Sequence, residues 1–160
     1  MFDKVITKFL RTVSFIMFVT MIIVVFIQVM LRYFFEAPLA WSDELARLLL
    51  VWTSFLGVTL IHFSDAGHPA VTFIADKIPE RPRKVMDIVL NIGLTFCFLV
   101  VLKAGIEYTA ANTSFVSPVL HYPNALKYIV FPICIFLMIL KNIQRIIRDA
   151  KEIMTGKKGA

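Results

Sequence analysis

Four long apolar runs divide the chain. They cover residues 13–31, 45–63, 85–102 and 125–140, and polar residues interrupt each run only sparsely. At 1.5 Å per residue these runs form helices about 24 to 28 Å long, close to the ~30 Å hydrocarbon core of a bilayer. The pattern therefore predicts an all-α integral membrane protein with four transmembrane helices. Pro132 lies within the fourth run, where we expect a kink rather than a break because membrane helices tolerate proline.

Three segments outside the transmembrane runs place hydrophobic residues at helical spacing. These stripes lie within 2–9, 71–78 and 143–154, with basic residues on the opposite faces. Short amphipathic helices of this kind lie along the membrane interface. The two terminal stripes fit the ends of long membrane helices equally well, so both interpretations stay open.

Basic residues indicate the orientation. Of the 17 Lys and Arg residues, 13 lie before the first run, between the second and third runs, or after the fourth. By the positive-inside rule these segments face the cytoplasm, so both termini are expected inside. We expect one membrane domain over residues 1–160, with a basic cytoplasmic tail at 141–160. Because the +6 net charge is grouped beside apolar runs, nucleic acid is not an expected partner.

Composition agrees with membrane lipids as the surroundings. The chain is 59% hydrophobic with a mean hydropathy of +0.80, too apolar for a domain with a largely charged surface. Cys97 and Cys134 each lie inside an apolar run without metal-ligand spacing, so neither a disulfide framework nor a zinc site is indicated.

The chain offers little catalytic chemistry. No ionisable residue lies at the centre of an apolar run, where a buried charge would indicate a proton or ion pathway. Hydrolase and metalloprotease motifs are missing from the sequence. His62, His68 and His121 are too far apart in depth to face one another across a haem. We therefore expect no enzyme activity, cofactor, metal ligand or substrate-binding residue.

Polar residues within the runs indicate a partner. Gln28 lies in the first run, and Asn91 and Thr95 share one face of the third run with Asp87. Amides and hydroxyls in membrane helices more often bind neighbouring helices than ligands. Lys103 and Glu107 are spaced four residues apart and are expected to form a surface pair.

The most informative segment runs from Pro38 to Trp52. Ser42 is a favourable N-cap for the second helix, and Asp43 and Glu44 follow in the first turn, where negative charge suits the helix dipole. Arg47 lies three residues after Glu44, and Arg32, at the end of the first helix, is positioned to pair with Glu44. Trp41 suits the outer headgroup region, and Trp52 lies deeper.

These residues resemble the small membrane subunit of tripartite ATP-independent periplasmic (TRAP) transporters, the DctQ-like subunit. In that family an Arg-Tyr, a Trp, an acidic pair with a following Arg, a second Trp, a Gly and a late His recur in one order. That order is matched here by Arg32-Tyr33, Trp41, Asp43-Glu44, Arg47, Trp52, Gly57 and His68. The chain departs from the family where Pro69, not an aliphatic residue, follows His68. The segment from Pro38 to Arg47 resembles sialic-acid-type members.

The resemblance implies a scaffold subunit that pairs with a large multi-helix membrane subunit carrying the substrate and sodium sites. A periplasmic binding protein delivers the substrate, an organic acid such as a dicarboxylate or sialic acid, and the large subunit works in an elevator-like cycle. The location is the bacterial inner membrane. Candidate residues for the partner interface are Gln28, Arg32, Trp41, Asp43, Glu44, Arg47, Trp52, Gly57, Asn91 and Thr95.

Two other functions fit a four-helix chain. A small multidrug antiporter needs a membrane-embedded acid, typically in its first helix, and residues 13–31 contain none. A haem-bearing anchor subunit of a respiratory enzyme needs paired histidines at mid-depth. Both are weaker hypotheses than the scaffold subunit.

Overall fold

The computed structural model describes residues 2–36, 39–64 and 80–155. The helices in these ranges are α1 (Phe2–Phe34), α2 (Ala40–Phe63), α3 (Glu80–Ala111), α4 (Ala125–Tyr128) and α5 (Val130–Thr155). Among the described residues four spans are long and apolar enough to cross a membrane, and they correspond to α1, α2, α3 and the α4–α5 segment. The predicted all-α class with four transmembrane helices is confirmed.

The helices extend beyond the apolar runs. α1 has 33 residues and α3 has 32, so each is about 50 Å long and longer than a ~30 Å hydrocarbon core. The apolar runs in the sequence therefore mark only the part of each helix that must be apolar because lipid surrounds it. Both terminal stripes are continuous with transmembrane helices, 2–9 with α1 and 143–154 with α5. The stripe at 71–78 lies outside the described residues.

Proline interrupts the fourth span at one residue. α4 ends at Tyr128, Ile129 keeps right-handed helical dihedral angles (φ −61°, ψ −27°), and α5 begins at Val130. Pro132 has no N–H to donate to the carbonyl four residues earlier, which explains the local loss of the helical ladder. The fourth span is therefore interrupted for one residue, while its backbone keeps helical dihedral angles there.

The transmembrane helices form an open row in the order α1, α2, α5, α3. One buried cluster joins α1, α2 and α5 through Leu10, Leu56, Val130 and Cys134. A second cluster on α5 packs against Phe98 and Leu102 of α3. The row therefore has two core seams and leaves α1 and α3 as edge helices.

Edge helices keep most of their apolar surface uncovered. In the most apolar 18-residue stretch of α1 no residue is buried, and in that of α3 the buried share is 6%, whereas in α5 it is 44%. Phe15, Phe26 and Phe96 are each more than half exposed. Surfaces of this kind require lipid or another membrane protein as a neighbour.

Candidate functional site

The loop between α3 and α4, residues 112–124, folds back on itself at one end of the bundle. The Ser117 amide donates to the Tyr122 carbonyl at 2.9 Å, and the Asn124 amide donates to the Phe115 carbonyl at 2.8 Å. His121 adopts a positive φ of 54°, which turns the chain between these bonds. We call this end, where α2 begins and α3 ends, the loop end.

Glu44 of α2 holds this loop in place. Its carboxylate accepts hydrogen bonds from the Ser117 hydroxyl, from the Leu120 amide at 2.9 Å and from the Val119 amide at 3.2 Å. Ser117 is only 4% exposed. One carboxylate therefore satisfies three donors of a loop that otherwise lacks regular secondary structure.

Tyr122 lies in the same loop, outside the transmembrane spans. Burial raises the pKa of its phenol, and the Glu44 carboxylate raises it further. The phenol therefore stays neutral at physiological pH, and the loop carries no second negative charge beside Glu44.

Gln28 and Asp43 connect α1 to the start of α2. The Gln28 amide of α1 donates to the Asp43 carboxylate of α2 at 2.7 Å. The suggested pairing of Glu44 with Arg32 is wrong, because neither Arg32 nor the nearby Arg47 forms an ion pair with Glu44 in the described part of the chain. The loop amides and the Ser117 hydroxyl occupy the Glu44 carboxylate instead.

The beginning of α2 also differs from the prediction. The helix starts at Ala40, with Leu39 at the N-cap position in an extended conformation and without a side-chain cap. Ser42 is buried in the first turn, and its hydroxyl donates to the Leu39 carbonyl at 2.6 Å. The predicted N-cap role of Ser42 is wrong because its hydroxyl bonds backwards within a helix that begins two residues earlier. Pro38 lies outside the described residues.

Trp52 ties α2 to α4. Its indole N–H donates to the Leu126 carbonyl at 3.0 Å, and its ring packs against the α1–α2–α5 cluster. That carbonyl lies in α4, just before the break between α4 and α5, where the helical ladder is incomplete. Trp41 lies nearer the start of α2 and is 40% exposed.

Asn91 and Thr95 bond within their own helix. The Asn91 amide donates to the Asp87 carbonyl at 2.8 Å, and the Thr95 hydroxyl donates to the Asn91 carbonyl at 2.7 Å. Each side chain thus donates a hydrogen bond to its own helix. Gly57 has open space where a Cβ would stand.

A second polar cluster, which was not predicted from the sequence, lies at the opposite end of the bundle. His62 Nε2 is 2.9 Å from Asn142 Oδ1, and both residues are buried. Arg145 donates to the His62 carbonyl at 2.7 Å, and Lys141 donates to the Asp3 carboxylate at 2.8 Å. We call Asp3, His62, Lys141, Asn142 and Arg145 the tail-end cluster.

The tail-end cluster fastens three helices together. It joins the start of α1, the end of α2 and the middle of α5, and Lys141 is only 3% exposed despite its charge. A signal for it was present in the sequence, since His62 lies near the end of the second apolar run and Lys141 directly follows the fourth. Spacing along the chain does not reveal that the two ends meet.

The two histidines that the structure describes do not share a site. His62 is engaged by Asn142 at the tail end, whereas His121 lies at the loop end with Nδ1 2.8 Å from the Val119 carbonyl. His68 lies outside the described residues. Across the described ranges, no group of three His, Cys, Asp or Glu residues is arranged to hold a metal ion.

Comparison with known proteins relates this architecture to a family. The profile of the family described as "Tripartite ATP-independent periplasmic transporters, DctQ component" matches residues 21–152. The chain belongs to this family. It is accordingly the small permease subunit of a TRAP transporter and a multi-pass protein of the bacterial inner membrane, as the motif between Arg32 and His68 predicted. The multidrug and haem-anchor alternatives are not favoured.

Individual relatives agree with this assignment. A protein of Haemophilus influenzae named as a TRAP transporter small permease is 26% identical over 137 residues, 86% of this chain and 84% of that protein. The sialic acid TRAP transporter small permease protein SiaQ of Vibrio cholerae is 24% identical over 127 residues, 79% of this chain and 73% of SiaQ.

A longer relative indicates the partner. The sialic acid TRAP transporter permease protein SiaT of Haemophilus influenzae is 28% identical over 91 residues, which are 57% of this chain but only 15% of SiaT. Most of SiaT therefore lies outside the matched segment. This relationship supports a large permease subunit as the partner of this chain.

Proposed function

We propose that this DctQ-family chain is the scaffold subunit of a sodium-coupled transporter that imports a carboxylate-containing substrate. A periplasmic binding protein delivers the substrate, and a large elevator-type subunit carries the substrate and sodium sites. This chain enlarges the static part of the membrane complex and neither binds substrate nor catalyses a reaction. The sialic acid named for two of its relatives is the first substrate to test.

The open row of helices is the observation that carries this proposal. A transporter that worked alone would need a closed pathway with ionisable groups at mid-depth, yet the acidic residues of the described spans lie towards their ends. Asp43 and Glu44 are engaged by Gln28 and the 112–124 loop. Such a chain supports a neighbour rather than moving a solute.

One face of α2 fits that neighbour. Because an α-helix has 3.6 residues per turn, six residues of α2 lie in one stripe opposite the buried face of the helix. All but the half-buried glycine are exposed, and the stripe consists of Arg47, Leu50, Ser54, Gly57, Val58 and Ile61. Small residues allow two helix backbones to approach closely in a membrane, and Ser54 and Gly57 supply them at the centre. We define this stripe as the α2 outer face and propose that the large subunit packs on it.

The remaining candidate residues divide by their contacts. Gln28, Asp43, Glu44 and Trp52 act inside the chain, where they position the loop end. Arg32 and Arg47 are exposed and bridge no elements within the described ranges. With Trp41, they are therefore the better candidates for contacts with the large subunit or the binding protein.

Reconstitution tests the proposed function. The chain is purified from native membranes through a C-terminal tag and placed in liposomes, either alone or as the complex that co-purifies with it. With an inward sodium gradient and the periplasmic binding protein, the complex should take up radiolabelled sialic acid or another organic acid, and the chain alone should not. Robust uptake or cation export by the chain alone would refute the scaffold role.

A further inference from the structure

An apolar groove lies between α2 and α3 towards the loop end. Its volume is about 570 Å³, within the ~300 to 1,000 Å³ range of pockets that hold one organic ligand. The start of α5, with Phe131, forms its floor, and Val51 and Phe55 of α2 form one wall. The other wall is α3, where the small residues Ala104 and Gly105 leave space for the groove. The groove is therefore a concave cleft between helices rather than a flat surface.

The polar groups of the groove are confined to its loop end. The surface of the groove is almost wholly apolar, and the residues that carry polar groups border it only at that end; they are Lys127, Tyr108, Tyr128 and Thr109. The Tyr108 and Tyr128 rings pack edge to face with centroids 4.9 Å apart, and the Lys127 ammonium lies 5.7 Å from the centroid of the Tyr128 ring. Tyrosine and lysine at the end of a transmembrane span are typical of the headgroup region.

Lys127 is available to an anion. The Lys103 ammonium of α3 lies 3.9 Å from the Glu107 carboxylate. In contrast, no described carboxylate forms an ion pair with Lys127 of α4. Lys127 is also the one charged residue among those that line the groove. A ligand with a negative group at one end and an apolar body therefore matches the groove in charge.

The length of the groove identifies the apolar body. Along α3 it runs from Val100 to Thr109, about 13 Å at 1.5 Å per residue. One leaflet contributes about half of the ~30 Å hydrocarbon core, or about 15 Å. A helix of the large subunit crosses both leaflets and would use the groove for only half its length. An acyl chain crosses one leaflet and ends at its middle.

We propose that this groove binds one anionic phospholipid, with an acyl chain between α2 and α3 and the phosphate headgroup at Lys127. The lipid fills the space between two helices that do not pack on each other, and the tyrosines flank its headgroup. This site is independent of the scaffold role, because it uses a different face of α2 from the α2 outer face.

Native mass spectrometry tests the headgroup and the chain separately. The delipidated protein, with any subunit that co-purifies, is titrated with phosphatidylglycerol or phosphatidylcholine. Wild type should bind one phosphatidylglycerol in preference to phosphatidylcholine. Lys127→Gln should weaken phosphatidylglycerol binding about fivefold, the effect of about 1 kcal/mol per basic residue at an anionic surface. Ala104→Phe should fill the groove and abolish binding of both lipids.

Two control variants change residues of α3 that lie outside the groove. Lys103→Gln removes an exposed lysine that does not line the groove, and Ala110→Phe adds a ring at an exposed position, so both should bind phosphatidylglycerol as wild type does. Equal binding of the two lipids by wild type, or unchanged binding by Ala104→Phe, would overturn the proposal.

A photo-crosslinker identifies the occupant in the assembled complex. Benzoylphenylalanine at Val101, which lines the groove, should give an adduct with the mass of a phospholipid after irradiation in native membranes. A crosslink to the large subunit or to a second copy of this chain would show a protein in the groove and would refute the lipid site.

Discussion

Glu44 and Ser117 lie 73 positions apart in the chain, and the Ser117 hydroxyl donates a hydrogen bond to the Glu44 carboxylate. Because two loop amides donate to the same carboxylate, removal of its charge weakens three hydrogen bonds at once. Glu44→Gln should therefore loosen the 112–124 loop. Maleimide labelling of Leu120→Cys in a Cys97→Ala background should become several-fold faster in the Glu44→Gln variant.

The controls separate the loop contact from general charge loss. Glu107→Gln neutralises an exposed acid on α3, and Arg47→Ala removes an exposed charge from α2, so neither should change the labelling rate. Ser117→Ala should resemble Glu44→Gln in a milder form. Equal labelling rates in the Glu44 and Glu107 variants would show that the carboxylate does not hold the loop.

The Lys141–Asp3 pair of the tail-end cluster should be costly to break. The Lys141 side chain is 4% exposed and lies 2.8 Å from the half-exposed Asp3 carboxylate. Lys141→Met leaves that carboxylate without its partner and should lower the free energy of unfolding by about 1 to 3 kcal/mol, less than for a fully buried pair because Asp3 reaches solvent. Thermal denaturation in detergent, followed by size-exclusion chromatography, measures the loss.

A second substitution tests the assignment to the pair. Asp3→Asn combined with Lys141→Met removes both charges and should recover part of the lost stability. Lys103→Met, which breaks an exposed pair, should leave the denaturation midpoint unchanged. If the Lys141→Met and Lys103→Met variants have the same denaturation midpoint, the Lys141–Asp3 pair does not stabilise the fold.

The transmembrane spans could be predicted because lipid imposes a strict local rule. A chain that crosses hydrocarbon must bury its backbone in helices with apolar side chains, so run length alone identifies each span. The Lys103–Glu107 pair was predictable for a similar reason, since helical spacing brings residues four apart together, and the contact at 3.9 Å confirms it.

The partners of polar residues could not be predicted from spacing. Asp3 and Lys141 are 138 positions apart, and which helix ends meet depends on the order of helices in the row. Glu44 had an arginine three residues away, yet the fold brings the Ser117 hydroxyl and two loop amides, more than 70 positions away, onto its carboxylate. Position along the chain suggested an arginine partner for Glu44, whereas the tertiary fold supplies three donors from a distant loop.

Topology provides a test of the proposed orientation. Reporter fusions after Pro38 and Ser117 should report the periplasm, and fusions after Ala75 and Lys157 should report the cytoplasm. The physical reason is the excess of Lys and Arg in the N-terminal, central and C-terminal segments, which are retained inside. A periplasmic signal at Lys157 would reverse the proposed orientation of the loop end.

Glycines distinguish packing within the chain from packing against the partner. A Cβ added at Gly105 of α3 would stand 2.6 Å from the Phe131 ring of α5, too close for any unshifted contact. Gly105→Ala should therefore separate α3 from α5 and cost about 1 to 3 kcal/mol through overpacking. Gly93→Ala, where a Cβ meets open space, is the control and should melt as wild type does in detergent.

Gly57 should respond differently from both. A Cβ there also meets open space within the chain, so Gly57→Leu should leave the isolated protein as stable as wild type. On the α2 outer face, however, the added side chain would prevent close approach of a helix from the large subunit. Co-purification of the large subunit should fall sharply in Gly57→Leu and persist in Gly93→Leu. Normal assembly of the Gly57→Leu variant would place the contact elsewhere, because a close helix–helix packing cannot accept a leucine at its centre without separating.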